Sequence, residues 1–77
     1  MKTFLLGTPE DVRGFALAGI AGSACTTPEE ALEAAAGLET MQDLALLLVS
    51  QEVAQLAPEA VEKLSRDHGP PTVVVLP

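Results

Sequence analysis

One helix-start pattern occurs twice in the sequence, each time shortly after a strand-like run. Thr8-Pro9-Glu10-Asp11 and Thr27-Pro28-Glu29-Glu30 both place a threonine before a proline and two acids. Threonine caps free N–H groups, proline suits the first helical position, and carboxylates favour the positive end of the helix dipole. Glu30 is three residues after Thr27, which predicts a capping box. The pattern predicts a chain of βα units with helices that begin at the two prolines.

Four short runs have the composition of strands, and they lie at 3–6, 23–26, 43–49 and 72–76. The third run is the most hydrophobic and does not alternate, as expected of a central parallel strand that is covered on both faces. The second run is short and poor in β-branched residues, which favours a sheet edge. The fourth has high β-propensity. Strands and helices therefore alternate along the whole chain.

Three helical regions are predicted between these strands. The first runs from Pro9 to about Gly19, a candidate left-handed cap, and the second covers about 28–37. From Ser50, a candidate N-cap, to Asp67 the pattern is helical with a break at Ala57-Pro58, which predicts a short turn and then a helix from Pro58. Short crossovers between parallel strands place helices on both sides of a sheet. We expect one domain over 1–77, a small flavodoxin-like three-layer α/β fold with four parallel strands in the order 2-1-3-4.

Each helix is predicted to have a face that packs on the sheet. In the first helix the residues of this face follow the spacing i, i+3, i+4 and i+7, and they are Val12, Phe15, Ala16 and Gly19. In the second they are Ala31, Leu32, Ala35 and Leu38. In the last they are Val61 and Leu64, with Glu59 and Lys63, and Glu62 and Arg66, as charged pairs on the surface.

The opposite face of the first helix is the candidate partner-binding site. It carries Glu10, Arg13, Gly14 and Leu17, so a glycine and a leucine lie among charges where water is expected. A glycine inside a helix costs about 1 kcal/mol relative to alanine. Gly14 therefore indicates that something approaches this face too closely for a side chain.

Composition narrows the classes of partner. Four basic and eleven acidic residues give a net charge of −7, which repels phosphate backbones and anionic lipid. Nucleic acid and the membrane surface are therefore disfavoured, and a basic or mixed protein partner fits better. One cysteine and no long apolar run indicate a reducing, cytoplasmic setting without membrane insertion. The core of so small a domain contributes only about 3–5 kcal/mol, so a permanent partner would stabilise it.

No catalytic, cofactor-binding or metal-binding site is predicted. Ligands of such folds bind at the switch point, here between the loops at 7–9 and 50–52, but acids at the first loop disfavour phosphate. The glycines at 14, 19 and 22 do not form a dinucleotide fingerprint. His68 is interpreted as a solvated cation and Cys25 as an inert thiol. A small ligand-binding or phospho-relay domain that uses these loops remains the alternative.

The sequence around the first helix contains a set of residues that together form a recognisable motif: Gly7, Pro9, Glu10, Gly14, Phe15, Leu17, Ala18, Gly19 and Ile20. With this motif the chain resembles the F subunit of the V/A-type ATPases. Three further features extend the resemblance over nearly the whole chain. They are the helix start at 28–31, the apolar strand at 44–49, and Pro71 ahead of a strand that ends at Leu76-Pro77. Gly7, Phe15, Ala18, Gly19 and Ile20 are interpreted as its structural motif.

The resemblance implies a non-catalytic component of a rotary central stalk. Such a component binds the coiled-coil D subunit and helps to couple ion transport to ATP synthesis or hydrolysis, as a cytoplasmic, peripheral part of a membrane-associated complex. It brings no catalytic residue and no cofactor. Family members usually continue into a C-terminal helical segment, which is expected to be absent here. The free edge of the fourth strand also leaves weak self-association open.

Overall fold

A computed structural model describes residues 2–38, 40–41, 43–66 and 72–77. Strands and helices alternate in this part of the chain as the sequence predicts. The strands are β1 (Lys2–Gly7), β2 (Ala21–Ala24), β3 (Leu44–Val49) and β4 (Thr72–Val75). The helices are α1 (Pro9–Ala16), α2 (Pro28–Leu38), α3 (Gln51–Leu56) and α4 (Pro58–Arg66).

All four strands are parallel and lie in the order β2-β1-β3-β4, which confirms the predicted α/β topology. One row across the sheet contains a residue from each strand. Leu5 is opposite Gly22 of β2 on one side and Leu48 of β3 on the other, and Leu48 is opposite Val74 of β4. Since neighbours in a row point to the same face, this register decides which side chains share a surface.

The two faces of the sheet carry different numbers of helices. α1 packs on β1 and β2, whereas α2, α3 and α4 pack against one another. The step from β1 to β2 runs in the opposite direction to the later steps along the sheet. Right-handed crossovers therefore place α1 on one face and the other three helices on the opposite face.

The main core lies between the sheet and α2, α3 and α4. Its fully buried members include Leu6, Leu47, Val49, Val53, Ala31 and Ala60. Leu64 is buried and Val61 is half-buried against the same core, which confirms the inner face predicted for the last helix. Leu32 was predicted to face inward and this is wrong, because it is 46% exposed. The buried stripe of α2 follows Ala31, Ala35 and Leu38, and Leu32 lies to one side of it, beside the break between α3 and α4.

Two elements differ from the prediction by two or more residues: α1 ends at Ala16 and not near Gly19, and β2 begins early. β2 begins at Ala21, two residues earlier than expected, because the turn after α1 ends at Ile20 and Thr26 and Thr27 are used to start α2. The helical segment after Ser50 is interrupted before Pro58, as predicted, and its first part forms the short helix α3. Ser50 is its N-cap as predicted, and its Oγ accepts a hydrogen bond from the Val53 amide at 3.2 Å.

The two helix starts are capped differently despite their common sequence pattern. At α1 a complete capping box forms, in which Thr8 Oγ1 accepts from the Asp11 amide and Asp11 Oδ2 accepts from the Thr8 amide. At α2 the Glu30 amide donates to Thr27 Oγ1, but the Glu30 carboxylate accepts from Thr26. The predicted box is therefore only half correct, because Glu30 reaches back one residue further than expected.

The contact with Thr26 predicts a pH effect on stability. Hydrogen bonds from the Thr26 hydroxyl and amide, at 2.6 and 2.9 Å, hold the pKa of Glu30 below its ordinary value of 4.5. A lowered carboxyl pKa contributes stability that is present above the unfolded-state pKa and lost as pH falls through the folded-state pKa. We expect Glu30→Gln to flatten the decline in stability below about pH 4.5, measured by urea denaturation across a pH series.

Glu29→Gln is the matched control, since it removes a neighbouring carboxylate from the same exposed helix turn. The control should retain more of the parent's acid dependence. If Glu30→Gln and the parent lose stability in parallel on acidification, the Thr26 contact has no such role.

Candidate interaction surface on the first helix

Four residues predicted to bind a partner form one exposed surface, which we call the outer α1 face. They are Glu10, Arg13, Gly14 and Leu17. Leu17 is 91% exposed, the highest value among the exposed large hydrophobic residues of the described chain. A single exposed leucine is ordinary on a protein surface. Its position one turn from a helical glycine makes this face the candidate for a docking contact.

Gly14 has no steric role within the described residues. A Cβ placed there would meet nothing within 4 Å, so the close approach inferred from the sequence does not come from this part of the chain. Alanine would be accommodated and would favour the helix by about 1 kcal/mol. An approach by a partner therefore remains the interpretation of this glycine.

Four of the five residues of the predicted structural motif lie at the end of α1 or in the turn after it, namely Phe15, Ala18, Gly19 and Ile20. The Gly19 amide donates to the Ala16 carbonyl and the Ile20 amide donates to the Phe15 carbonyl, the bond pair of a Schellman cap. Gly19 has φ of +84°, the left-handed conformation predicted for it. Ala18 lies in the same turn and is exposed.

Two residues predicted to face the sheet do not do so. Ala16 and Gly19 are exposed, whereas Phe15 and Val12 are half-buried against the sheet. The helix ends at Ala16, so the helical spacing that placed Gly19 on the inner face no longer applies there. Gly19 is required by its backbone conformation and not by close packing, because a Cβ there would meet nothing within 4 Å.

Close packing instead involves two other glycines. A Cβ at Gly22 would lie 2.8 Å from the Leu5 carbonyl oxygen and 3.2 Å from the Leu5 Cβ. A Cβ at Gly7 would lie 2.9 Å from the Cβ of Asp11, the residue that completes the capping box. The sequence assigned Gly7 to the structural motif but gave Gly22 no such role. The contact of Gly22 depends on strand pairing, which the local sequence does not reveal.

An open cleft of about 570 Å³ lies at the switch point between β1 and β3. The residues that line it are Thr8, Pro9, Glu10, Asp11, Arg13 and Glu52. Three acidic residues and one arginine line the cleft, so it favours cationic groups over phosphate. Its chemistry therefore gives little support to the alternative of a nucleotide-binding or phospho-relay domain.

Cys25 is buried and makes structural contacts. Its amide donates to the Gly7 carbonyl at 2.9 Å, and its Sγ lies 3.9 Å from the Ser23 carbonyl oxygen. Burial, with a smaller contribution from the Glu30 charge, raises the pKa of the thiol. A raised pKa reduces the thiolate fraction, which agrees with the interpretation of Cys25 as an inert thiol.

The described part of the chain offers neither a metal-binding cluster nor a membrane-spanning helix. Within it, no group of three His, Cys, Asp or Glu side chains is placed to hold a metal ion. Across the same residues, none of the helices has the length and apolarity that spanning a membrane requires. Three predictions concern groups outside what the structure describes. They are the solvated cation at His68, the part of Pro71 in the family resemblance, and the charged pair of Glu62 with the side chain of Arg66.

A second exposed apolar surface was missed from the sequence. Leu46, Leu48 and Val74 alternate with core residues, so they point to the same face of the sheet as α1. Both leucines are half-buried and Val74 is 40% exposed. We call this surface the open β3–β4 face. This surface could have been predicted from the strand order, because right-handed crossovers place only one helix on the α1 side of the sheet.

Comparisons with known proteins agree with this architecture. The family model described as ATP synthase (F/14-kDa) subunit matches residues 4–77. Among solved structures, the chain is similar to the F subunit of the V-type ATP synthase from Archaeoglobus fulgidus, with 25% identity and a TM-score of 0.81. That alignment covers 99% of this chain and 96% of the archaeal one. No curated protein sequence matches significantly.

Proposed function

The chain belongs to the family of the ATP synthase (F/14-kDa) subunit, and we propose that it is a non-catalytic component of the central stalk of a rotary ATPase. In this role it binds the coiled-coil D subunit and helps to couple ion transport to ATP synthesis or hydrolysis. The chain is then a cytoplasmic, peripheral part of a membrane-associated complex. The family match, which spans nearly the whole chain, is the observation that carries the proposal.

The outer α1 face supports docking to another protein. Leu17 exposes almost its whole side chain, and Gly14 leaves space beside the helix for a closely approaching element. Apolar contacts at the centre of an interface supply most of its binding free energy, whereas charges at the rim contribute more to orientation and association rate. Glu10 and Arg13 are suited to the second role.

The electrostatics of the switch-point cleft support a non-catalytic role. Glu10, Asp11 and Glu52 would repel the phosphates of a nucleotide bound there. The net charge of −7 favours a partner with a basic surface. Binding and mechanical coupling therefore account for the chain better than catalysis does.

Co-expression with the cognate D subunit tests the proposal. We expect the two proteins to elute together in gel filtration as a 1:1 complex, and isothermal titration calorimetry of the separately purified proteins to give saturable binding. Increasing ionic strength should weaken the association, because the acidic chain is steered towards a basic partner. Two well-folded proteins that elute separately at every salt concentration would contradict the proposal.

A further inference from the structure

The open β3–β4 face is a mainly apolar strip beside α1, in which Thr72 of β4 lies opposite Leu46. Leu48 lies directly between Leu5 and Val74 in the cross-strand row. Leu5, beneath α1, is 0% exposed, whereas exposure rises to 40% at Val74 on the edge strand. The difference arises because α1 packs mainly on β1 and β2. Parallel sheets of this kind normally bury both faces.

The dimensions of the strip fit a helix. Two neighbouring strands at about 4.8 Å spacing present a surface about 10 Å wide. A helix with its side chains has a diameter of about 10–12 Å. A helix laid beside α1 would therefore complete the helical layer on this face and cover Leu46, Leu48 and Val74 together.

The charges next to the strip indicate the chemistry of such a helix. The switch-point cleft lies at the carboxyl ends of β1 and β3, where the strip ends, and contains Glu10, Asp11 and Glu52 against Arg13 alone. This excess of carboxylates favours lysine or arginine on the approaching segment. The face itself is apolar and attracts leucine-like side chains.

We propose that the open β3–β4 face is the docking site for an amphipathic helix of the stalk partner. The helix places an apolar stripe on Leu46, Leu48 and Val74 and basic side chains beside the acidic cleft. The assignment of this helix to the stalk partner rests on the proposed function. The site is distinct from the outer α1 face, which points away from the sheet.

Two adjacent valines of β4 provide a matched test. Val74 and Val75 are 40% and 45% exposed, but they point to opposite faces of the sheet. We expect Val74→Lys to weaken binding of the D subunit at least about tenfold and Val75→Lys to change it by less than about twofold. Lysine is well tolerated on edge strands, so both variants should fold, which thermal melting checks.

A synthetic helical peptide provides a test that does not require the natural partner. Titration of the methyl-labelled chain with an amphipathic peptide of leucine and lysine should shift the NMR signals of Leu46 and Leu48. A matched peptide of leucine and glutamate should not, because of the acidic cleft. The absence of shifts with the first peptide would overturn the proposed docking chemistry.

The outcomes separate this proposal from the proposed function. If Val74→Lys binds like the parent while Leu17→Asp does not, the partner uses the outer α1 face alone and the sheet proposal fails. If the parent forms no complex, the proposed function fails and the peptide titration decides the sheet face independently. A dimer in sedimentation equilibrium that Val74→Lys dissociates would show that a second copy covers the face, which also overturns the proposal.

Discussion

Gly22→Ala should lower the free energy of unfolding by about 1–3 kcal/mol, the usual cost of forcing extra volume into a closely packed site. The new Cβ would lie 2.8 Å from the Leu5 carbonyl oxygen, and that oxygen belongs to the backbone, which cannot rotate away. β1 and β2 would have to separate. In a domain of this size each kcal/mol lowers the melting temperature by about 4–8 °C, so calorimetry will resolve the effect.

Gly14→Ala is the matched control, since it makes the same substitution eight residues earlier in the chain. A Cβ there meets nothing within 4 Å, and alanine favours the helix, so stability should rise by about 0.5–1 kcal/mol. We therefore expect the free energy of unfolding to fall for Gly22→Ala and to rise for Gly14→Ala. If Gly22→Ala is as stable as the parent, strand pairing at Leu5 is looser than the geometry indicates.

The contrast between these glycines shows which features the sequence can predict. The helix starts and the left-handed Gly19 follow from local chemistry, because capping groups and backbone conformation act within a few residues. The strand order also follows, since apolar patterning and crossover length restrict the topology. The role of Gly22 depends on Leu5, a residue of another strand, and no local pattern encodes that distance.

The errors in the helix faces have the same origin. Leu32 fits the apolar spacing of α2, but the break between α3 and α4 leaves it without a neighbour deep enough to bury it. Ala16 fits the spacing of α1, yet this helix is short and buries none of its residues completely. Spacing predicts which residues share a face, whereas burial depends on what packs above that face.

The proposed surfaces differ in how far the sequence reveals them. The outer α1 face could be predicted because Leu17 and Gly14 break the polar pattern of a single helix. The open β3–β4 face requires the count of helices on each side of the sheet, which is a property of the whole topology. Each surface is testable by one substitution at an exposed position.

Leu17→Asp should weaken the proposed complex with the D subunit at least about tenfold, the effect expected when a charge replaces an apolar side chain at the centre of an interface. The free chain already exposes 91% of Leu17, so the substitution removes little packing within the domain. Its effect on stability should stay within about 1 kcal/mol, mainly from a negative charge near the negative end of the helix dipole. Calorimetric titration gives the affinity and thermal melting the stability.

Leu32→Asp is the control for adding a charge at an exposed leucine. Leu32 is 46% exposed on α2, on the opposite side of the sheet, so its substitution should leave the affinity nearly unchanged. Leu17→Gln separates loss of the apolar contact from the effect of charge, because it is neutral and compatible with the helix. If Leu17→Asp binds like the parent, the outer α1 face is not part of the interface. If Leu17→Asp and Leu17→Gln weaken binding while Leu32→Asp does not, the contact depends on the apolar side chain of Leu17, as docking through this face requires.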